Sequence, residues 1–143
     1  MNLDKLRFDK LTYCGIRDID TFEQKIIDAN DIRVLDVQSL IKYIKGLNGP
    51  IHISFDVDAL DPQLVDSTGT KVPDGLEPED VQRIISTALE TDKLVSLDVV
   101  EFNKALGNPE NSLLAVKKVF EAEEVSESSD ERLTDSNASW DSD

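Results

Sequence analysis

The sequence predicts an α/β fold, in which a parallel sheet is covered by helices on both of its faces. Short apolar runs rich in β-branched residues alternate with longer amphipathic stretches, and connections rich in Pro, Gly, Asn and Asp separate them. Strands that alternate with helices are typical of right-handed βαβ units, which build parallel sheets. The chain has 143 residues, 39% of them hydrophobic, which suits the core of one domain. Ligands of such sheets bind beyond the carboxyl ends of the strands, so chemistry is expected there.

The spacing of apolar residues predicts four strands and four helices. The strands are expected at 11–16, 32–35, 51–57 and 94–102, and the helices at 21–30, 37–47, 77–89 and 111–121. Side chains expected to pack inward are Phe22, Ile26 and Ile27 on the first helix and Leu113, Leu114, Val116, Val119 and Phe120 on the last. The polar connection 60–76 is long for a compact domain, and loops of this length are often functional.

The composition changes near the C-terminus. Residues 1–124 are expected to form the α/β domain, whereas residues 125–143 are rich in Ser and Asp and nearly lack core-forming residues. This composition predicts a disordered, solubilising tail. Two other roles stay open: phosphorylation at Ser128 or Ser129, which acidic residues follow, and a partner anchor at Trp140.

The charge balance excludes several classes of partner. The chain has 30 acidic and 15 basic residues, giving a formal net charge of −15. No nucleic acid partner is expected, because binding phosphates needs clustered Lys and Arg. No membrane partner is expected, since no apolar run could span a bilayer and surface helices usually carry a basic face. The charged N-terminus does not resemble a secretion signal, so a cytoplasmic location is expected.

The chain has one histidine, His52, and one cysteine, Cys14. A mechanism that needs several imidazoles, as metal ligands or as general base, cannot be completed by this sequence alone. His52 lies within a predicted strand, deeper in the sheet than the strand end, and is interpreted as structural. Cys14 lies in a predicted buried strand and is interpreted as an unreactive core thiol.

The clearest chemical pattern is the pair Asp56 and Asp58 at the end of the third strand, with Asp61 just beyond. Residues two apart on a strand share a face, so both carboxylates are expected to point into the same crevice. A hard divalent cation such as Mg²⁺ or Mn²⁺ would offset their repulsion. Ordinary turn-forming aspartates are the alternative. Two specific motifs do not match. A calcium-binding loop would have Gly where this chain has Asp61, and a haloacid-dehalogenase-type phosphatase would usually have Thr or Val where it has Leu60.

Four strings together resemble the arginase family of the ureohydrolase superfamily, over roughly residues 10–122. They are GIRDID at 15–20, SFDVDALDP at 54–62, TGT at 68–70 and LDVVEFN at 97–103. The resemblance implies a three-layer α/β/α fold and hydrolysis of L-arginine to L-ornithine and urea. It also implies a dinuclear manganese centre, for which Asp56 and Asp58 match two of the metal ligands.

The resemblance also implies roles in substrate binding for four residues. Asp20 and Glu23 match the element that contacts the substrate's α-amino group, and two carboxylates suit an ammonium. A helix capping box is an alternative reading of this pair, and one that does not exclude binding. Thr70 matches a threonine near the guanidinium, and Glu101 matches the residue that binds it. A carboxylate and a guanidinium form a charge-assisted, bidentate pair.

The sequence departs from the family pattern in what it lacks. The G-G-D-H and D-A-H-x-D elements that supply the other metal ligands are absent, as is the downstream histidine that shuttles protons. The chain therefore resembles only the C-terminal half of an arginase. It is expected to bind manganese weakly at most and to be inactive alone. Within the matched region, Lys71, Asp74 and Lys104 replace usual Pro, Gly and Pro residues.

Several functional alternatives stay open. The E-F-N and G-I-R-D-I-D strings favour arginase, but an agmatinase-type ureohydrolase is an alternative. A non-catalytic, arginase-like protein that binds or regulates an arginase is another, since homo-oligomers are common in the family and a half-subunit could interfere with their assembly. An unrelated metal-dependent phosphatase that uses Asp56 and Asp58 is the third.

Overall fold

The computed structural model describes residues 6–121, and the predictions for residues 125–143 lie outside this range. All eight predicted elements are present, with ends shifted by up to three residues. The strands are β1 (Thr12–Cys14), β2 (Arg33–Leu35), β3 (Ile51–Asp56) and β4 (Leu94–Val100). The helices are α1 (Thr21–Ala29), α2 (Val37–Gly46), α3 (Pro78–Glu90) and α4 (Pro109–Lys118). The α/β class is confirmed.

Within the described residues, the strands form two separate parallel pairs. β1 pairs with β2, and β3 pairs with β4 in a register that places Ser54 beside Asp98 and Asp56 beside Val100. Parallel neighbours need a crossover connection, and each pair encloses at least one helix of the chain. The two carboxyl ends of β3 and β4 therefore meet at one edge.

The hydrophobic core lies on one face of the β3–β4 pair. Helices α3 and α4 cover this face, and its largest fully buried side chains include Leu60, Val57, Val65 and Val119. A second cluster joins α2 to α3 and to the start of β3 through Ile44, Ile51, Ile84 and Ala88. The residues just beyond β3 are thus fixed by burial, not only by hydrogen bonds.

The opposite face of the β3–β4 pair is polar, and the helices of residues 6–121 leave it exposed. Its side chains are His52 and Ser54 on β3 and Ser96 and Asp98 on β4, all of which are exposed. His52 lies within β3, four residues before the end of the strand, as predicted, and its side chain is exposed. Val95 on β4 is also 68% exposed, at a register shift between Ile51 and His52.

Four apolar side chains that were predicted to pack inward are exposed instead. Phe22 on α1 is 69% exposed and Leu114 on α4 is 59% exposed, and Leu113 and Phe120 are also open to solvent. Helical spacing places Ser112, Ala115, Val116 and Val119 on the buried stripe of the last helix, so its Leu113 and Leu114 fall outside that stripe. The predictions for Val116 and Val119 are confirmed.

No helix among residues 6–121 is both long and apolar enough to cross a membrane.

Candidate metal and substrate site

The two aspartates lie where β3 ends, but not in the way that strand alternation predicted. β3 stops at Asp56, and Asp58 belongs to a single 3-10 turn over Val57–Ala59. The backbone N–H of Asp58 donates to Oδ1 of Asp56 over 3.0 Å, which caps this turn. The alternation argument is therefore wrong for Asp58, because a 3-10 turn has no two-residue period. The turn, not the pleat, keeps the two side chains close.

The carboxylates influence one another strongly. The pKa of Asp58 is raised to about 6, first by burial and then by the charge of Asp56 and a hydrogen bond with it. Glu101, just after β4, raises the pKa further, while the guanidinium of Arg17 opposes the shift. Asp56, Asp58 and Glu101 thus form one acidic cluster at the carboxyl ends of adjacent strands. Neighbouring carboxylates repel one another when all are charged, so such a cluster attracts a cation.

Glu101 has a backbone conformation that its sequence does not reveal. Its φ is 65°, in the left-handed region where a residue with a Cβ is uncommon. Such a conformation costs on the order of 1 kcal/mol and often accompanies functional residues. Two residues later, the N–H of Asn103 donates to the carbonyl of Ser67 over 2.7 Å. The end of β4 is therefore tied to the long connection.

The connection 60–76 is held by polar contacts at both ends. Asp61 accepts from the N–H groups of Gln63 and Gly75, over 2.9 and 3.2 Å. Near the middle of the connection, Asp66 accepts from the N–H of Asn108 over 2.7 Å. These contacts lower the pKa of both aspartates, because the backbone donors stabilise the charged form.

Two residues near the end of the connection, Asp74 and Gly75, are constrained by the backbone conformation there. Asp74 has a φ of 63°, so the position does demand the left-handed region that aspartate tolerates better than most residues. A Cβ on Gly75 would lie 2.3 Å from the backbone nitrogen of Asp61. The substitution of a usual Gly by Asp74 is therefore compatible with the turn.

The threonines of the TGT string differ in exposure. Thr68 is buried, and its hydroxyl finds no hydrogen-bond partner among the described residues. Thr70, the predicted substrate contact, is exposed. The structure thus leaves Thr70 free to meet a ligand, and its predicted role near a guanidinium stays a prediction.

Arg17 is a part of the site for which the sequence predicted no role. Its guanidinium donates five hydrogen bonds to four backbone carbonyls. These are the carbonyls of Gly15 (2.8 Å), Asp58 (2.7 Å), Ala59 (3.1 Å) and, twice, Val72 (2.8 and 3.2 Å). The only signal in the sequence was the position of Arg17 within GIRDID, next to the residues assigned to the substrate.

Asp20 and Glu23 form a capping box at the start of α1. Oδ1 of Asp20 accepts from the N–H groups of Phe22 and Glu23 over 2.7 and 2.8 Å, and Glu23 accepts from the N–H of Asp20 over 3.0 Å. Both side chains are exposed. The prediction of a capping box is confirmed. The predicted contact of Asp20 and Glu23 with the α-amino group of a substrate stays a prediction.

Glu23 also borders a pocket of about 260 Å³. Asp18 is its other acidic wall residue, and the apolar wall consists of Phe8, Tyr13, Ile16, Ile19, Ile26, Ile27 and Ile32. The described residues therefore place the Asp18–Glu23 segment beside an open, largely aliphatic cavity.

His52 and Cys14 fit structural roles. His52 Nδ1 lies 2.7 Å from Oγ of Ser96, and its Nε2 lies 3.6 Å from Oδ2 of Asp98, so the ring is engaged across the strand pair. Cys14 is half-buried, and burial raises the pKa of its thiol, with Asp36 and Asp80 adding to the effect. A raised thiol pKa lowers the fraction of reactive thiolate.

The donor types suit a hard divalent cation, but their number does not complete a site. Asp56 and Asp58 offer carboxylate oxygens, which Mg²⁺ and Mn²⁺ prefer. Between residues 6 and 121, however, no group of three or more His, Cys, Asp or Glu side chains is arranged to hold a metal ion. About six ligands are needed for tight octahedral binding. The described residues can thus contribute to a metal site without forming one.

Comparison with known proteins decides the family. A family model described as "Arginase: Arginase family" matches residues 2–123. The chain belongs to the arginase family. It is 40% identical over 115 residues to an arginase of Glaciozyma antarctica, an alignment that covers 71% of this chain and 33% of that protein. This arginase-family chain therefore spans about a third of the length of that curated relative.

Solved structures of the family share its fold. An arginase of Entamoeba histolytica in complex with L-ornithine superposes with a TM-score of 0.63 at 31% identity, over 78% of this chain and 43% of the other. An agmatine ureohydrolase of Thermoplasma volcanium gives a TM-score of 0.62 at 30% identity, over 77% and 40%. The resemblance inferred from the four strings is confirmed at the level of the family and the fold.

Proposed function

We propose that this chain supplies part of an arginase-type active site, which hydrolyses L-arginine to L-ornithine and urea with a dinuclear manganese centre. The convergence of Asp56, Asp58 and Glu101 at the carboxyl ends of β3 and β4 carries the proposal. This edge is where parallel α/β sheets bind ligands, and the acidic cluster suits both metal ions and a cationic substrate.

The proposed roles divide between metal and substrate. Asp56 and Asp58 would hold manganese, which when bound supplies an activated water for hydrolysis. Glu101 would accept two hydrogen bonds from the substrate guanidinium and so orient it, a pairing that is both charge-assisted and planar. Thr70 would contact the same group, since it is an exposed residue of the connection 60–76. Asp20 and Glu23 would attract the substrate's α-amino group.

The chain is expected to need further segments for activity. Two carboxylates leave most of each metal's coordination shell to water, so affinity should be low, with a Kd on the order of 1 mM. The remaining ligands and the proton shuttle would come from sequence outside the matched region, in the same or another polypeptide. Assembly into a homo-oligomer, common in the family, is part of this proposal.

Complementation tests the activity directly. The purified chain is mixed with the part of the Glaciozyma arginase that precedes its matched region, and urea release from L-arginine is measured with Mn²⁺. We expect no urea from the chain alone and urea from the mixture. Asp56→Ala and Asp58→Ala should abolish it, whereas Asp28→Ala, on the exposed surface of α1, should not. Urea from the chain alone would contradict its incompleteness, and equal rates for all three variants would contradict the metal role.

Agmatine is the alternative substrate, because an agmatine ureohydrolase superposes as well as the arginases do. Agmatine lacks the α-carboxylate but keeps the guanidinium that Glu101 would bind. The same mixture is therefore assayed with both substrates at equal concentration. A higher kcat/KM for agmatine would assign the agmatinase reaction, and a higher value for L-arginine would assign the arginase reaction.

A non-catalytic role is favoured by one observation, the shortfall of metal donors among the described residues. In that case the chain would bind an intact arginase and change its activity. Titrating the chain into the Glaciozyma arginase and following its urea release tests this role. A saturable change in rate that Asp56→Ala leaves intact would support regulation, and an unchanged rate would contradict it.

A further inference from the structure

Arg17 joins three segments of the candidate site that are distant in sequence. Its guanidinium spans from the turn that carries Asp58 to Val72 in the connection 60–76, and its own backbone leads directly to Asp20. Three of its four partners, Asp58, Ala59 and Val72, are 41 to 55 residues away along the chain. In the described structure, the side chain of Arg17 thus links the Asp58 turn to the connection 60–76, which contains the TGT string. It also links both to the segment that leads to Asp20 and Glu23.

The chemistry of these contacts is specific to an arginine. A guanidinium offers five N–H donors in a rigid planar fork, and here all five bonds go to backbone carbonyls. A lysine ammonium has three donors at one point and cannot reach carbonyls of three segments. None of the carboxylates in the cluster neutralises Arg17 by a direct ion pair within 4.0 Å among the described residues. Its charge therefore remains available to the acidic cluster, where it acts through space.

We propose that Arg17 is a positioning residue: it fixes the Asp58 turn and the end of the 60–76 connection so that Asp56 and Asp58 present their oxygens together to one cation. The metal part of this inference rests on the proposed function. The effect on the connection does not, because it follows from hydrogen bonds to Ala59 and Val72 alone. The two parts can therefore fail separately.

Amide hydrogen exchange measures whether Arg17 holds the connection 60–76 in place. The N–H of Leu76 donates to the carbonyl of Ala59 over 2.8 Å, so its exchange reports whether the connection stays closed against the Asp58 turn. The N–H of Ile51, which donates to the carbonyl of Lys93 over 2.8 Å, serves as a reference in the strand core. The full chain is measured as wild type, Arg17→Met, Arg17→Lys and the core control Ile44→Val.

Arg17→Met should raise the exchange rate of the Leu76 amide about 10-fold relative to that of Ile51, since bonds from a charged donor are lost. Arg17→Lys should stay within about threefold of Arg17→Met, because charge alone cannot rebuild the fork. Ile44→Val, in the second core cluster, should change the two amides in parallel. If Arg17→Met also changes them in parallel, or if Arg17→Lys restores the wild-type ratio, the proposal is overturned.

Manganese binding tests the second part. The free Mn²⁺ signal in electron paramagnetic resonance gives the bound fraction for each variant at a temperature where all are folded. We expect about a 10-fold loss of affinity in Arg17→Met and Arg17→Lys, and no loss in Ile44→Val. Equal losses in Ile44→Val would mean that Arg17 acts only through general stability, which overturns the metal part. If wild type binds no better than Asp56→Ala, the proposed metal function fails, and the exchange ratio alone decides the positioning claim.

Discussion

The segment from β1 to β2 and the segment from β3 to α4 are built in different ways. Between residues 6 and 36 only one hydrophobic side chain, Ile32, is buried, whereas residues 51–119 contain most of the core. The first segment is held mainly by polar contacts, such as the bonds from Arg17 and the bond from Arg33 to the carbonyl of Asp9 over 2.9 Å. The free energy of local unfolding increases with the number of buried apolar contacts. The first segment should therefore unfold locally at a lower free energy than the second.

The difference matters because the candidate site draws on both segments. The acidic cluster of Asp56, Asp58 and Glu101 lies on the well-packed segment, and the amine-contact pair Asp20 and Glu23 lies on the polar one. The metal candidates thus lie beside the core, whereas Asp20 and Glu23 lie on the segment that Arg17 joins by hydrogen bonds to Asp58, Ala59 and Val72. Four experiments would break or sharpen this contrast.

The largest effect is expected from Phe55→Ala. Phe55 is buried on β3 against α3 and α4, and truncating such a side chain costs about 3–5 kcal/mol. We expect a domain of this size to lose its cooperative unfolding transition or nearly so. Ile32→Ala should cost less than half as much, because its surroundings are mostly exposed. Urea unfolding followed by circular dichroism measures both, and equal losses would show that the first segment is packed as firmly as the second.

Gly75→Ala should cause the second largest loss of stability. The added Cβ would meet the backbone of Leu60 and Asp61 at 2.3–2.5 Å, so the connection must shift, at a cost of about 1–3 kcal/mol. Gly49→Ala is the matched control, because a Cβ there meets nothing within 4 Å. Thermal unfolding compares them. A Tm for Gly75→Ala equal to that of the control would mean that the loop end is more adaptable than its contacts indicate.

Asp20→Ala should cost about 1 kcal/mol, the usual value of a lost N-cap. The effect should appear as faster amide exchange within α1, with little change in β3 or β4, because α1 belongs to the less packed segment. Asp36→Ala, which removes the N-cap of α2, is the comparison, since α2 packs against α3. If Asp20→Ala destabilises β3 as much as α1, the two segments unfold as one unit.

The acidic cluster should make stability depend on pH. The folded pKa of Asp58 is about 6, above its ordinary value of 3.8, so the folded state holds its proton more tightly than the unfolded state. Stability from this group is present below about pH 4 and is lost as pH rises to about 6. We expect a loss of about 1 kcal/mol, after allowance for solvent screening. Asp58→Asn should remove this component, and an identical pH profile for wild type and Asp58→Asn would contradict the cluster.

Much of this architecture could be predicted from periodicity. The eight elements and the capping box at Asp20 follow from local sequence patterns. The exposure of Phe22 and Leu114 could not be predicted, because burial depends on which elements surround a helix and not on its own pattern. The family was predictable because its strings are long and specific.

The candidate site was predictable in its residue types but not in its geometry. The approach of Glu101 to Asp58 depends on the pairing of β3 with β4, which local sequence does not encode. The left-handed backbone of Glu101 and the five bonds of Arg17 also arise from tertiary contacts. The spacing of Asp56 and Asp58 predicted that both lie on one face of a strand. In the structure, the 3-10 turn after β3 brings the two side chains close instead.

The parallel pairing of β3 with β4 also has a consequence for the order of events in folding. His52 and Ser96, which are hydrogen-bonded neighbours on the two strands, are 44 residues apart in sequence. Closing so long a loop costs entropy before any strand contact is gained, so non-local parallel pairing forms slowly. The helices can form earlier from local contacts. The ends of β3 and β4, with Asp56 and Glu101, are therefore expected to come together after the helices form, and a ligand held by both ends would favour chains in which the strands have paired.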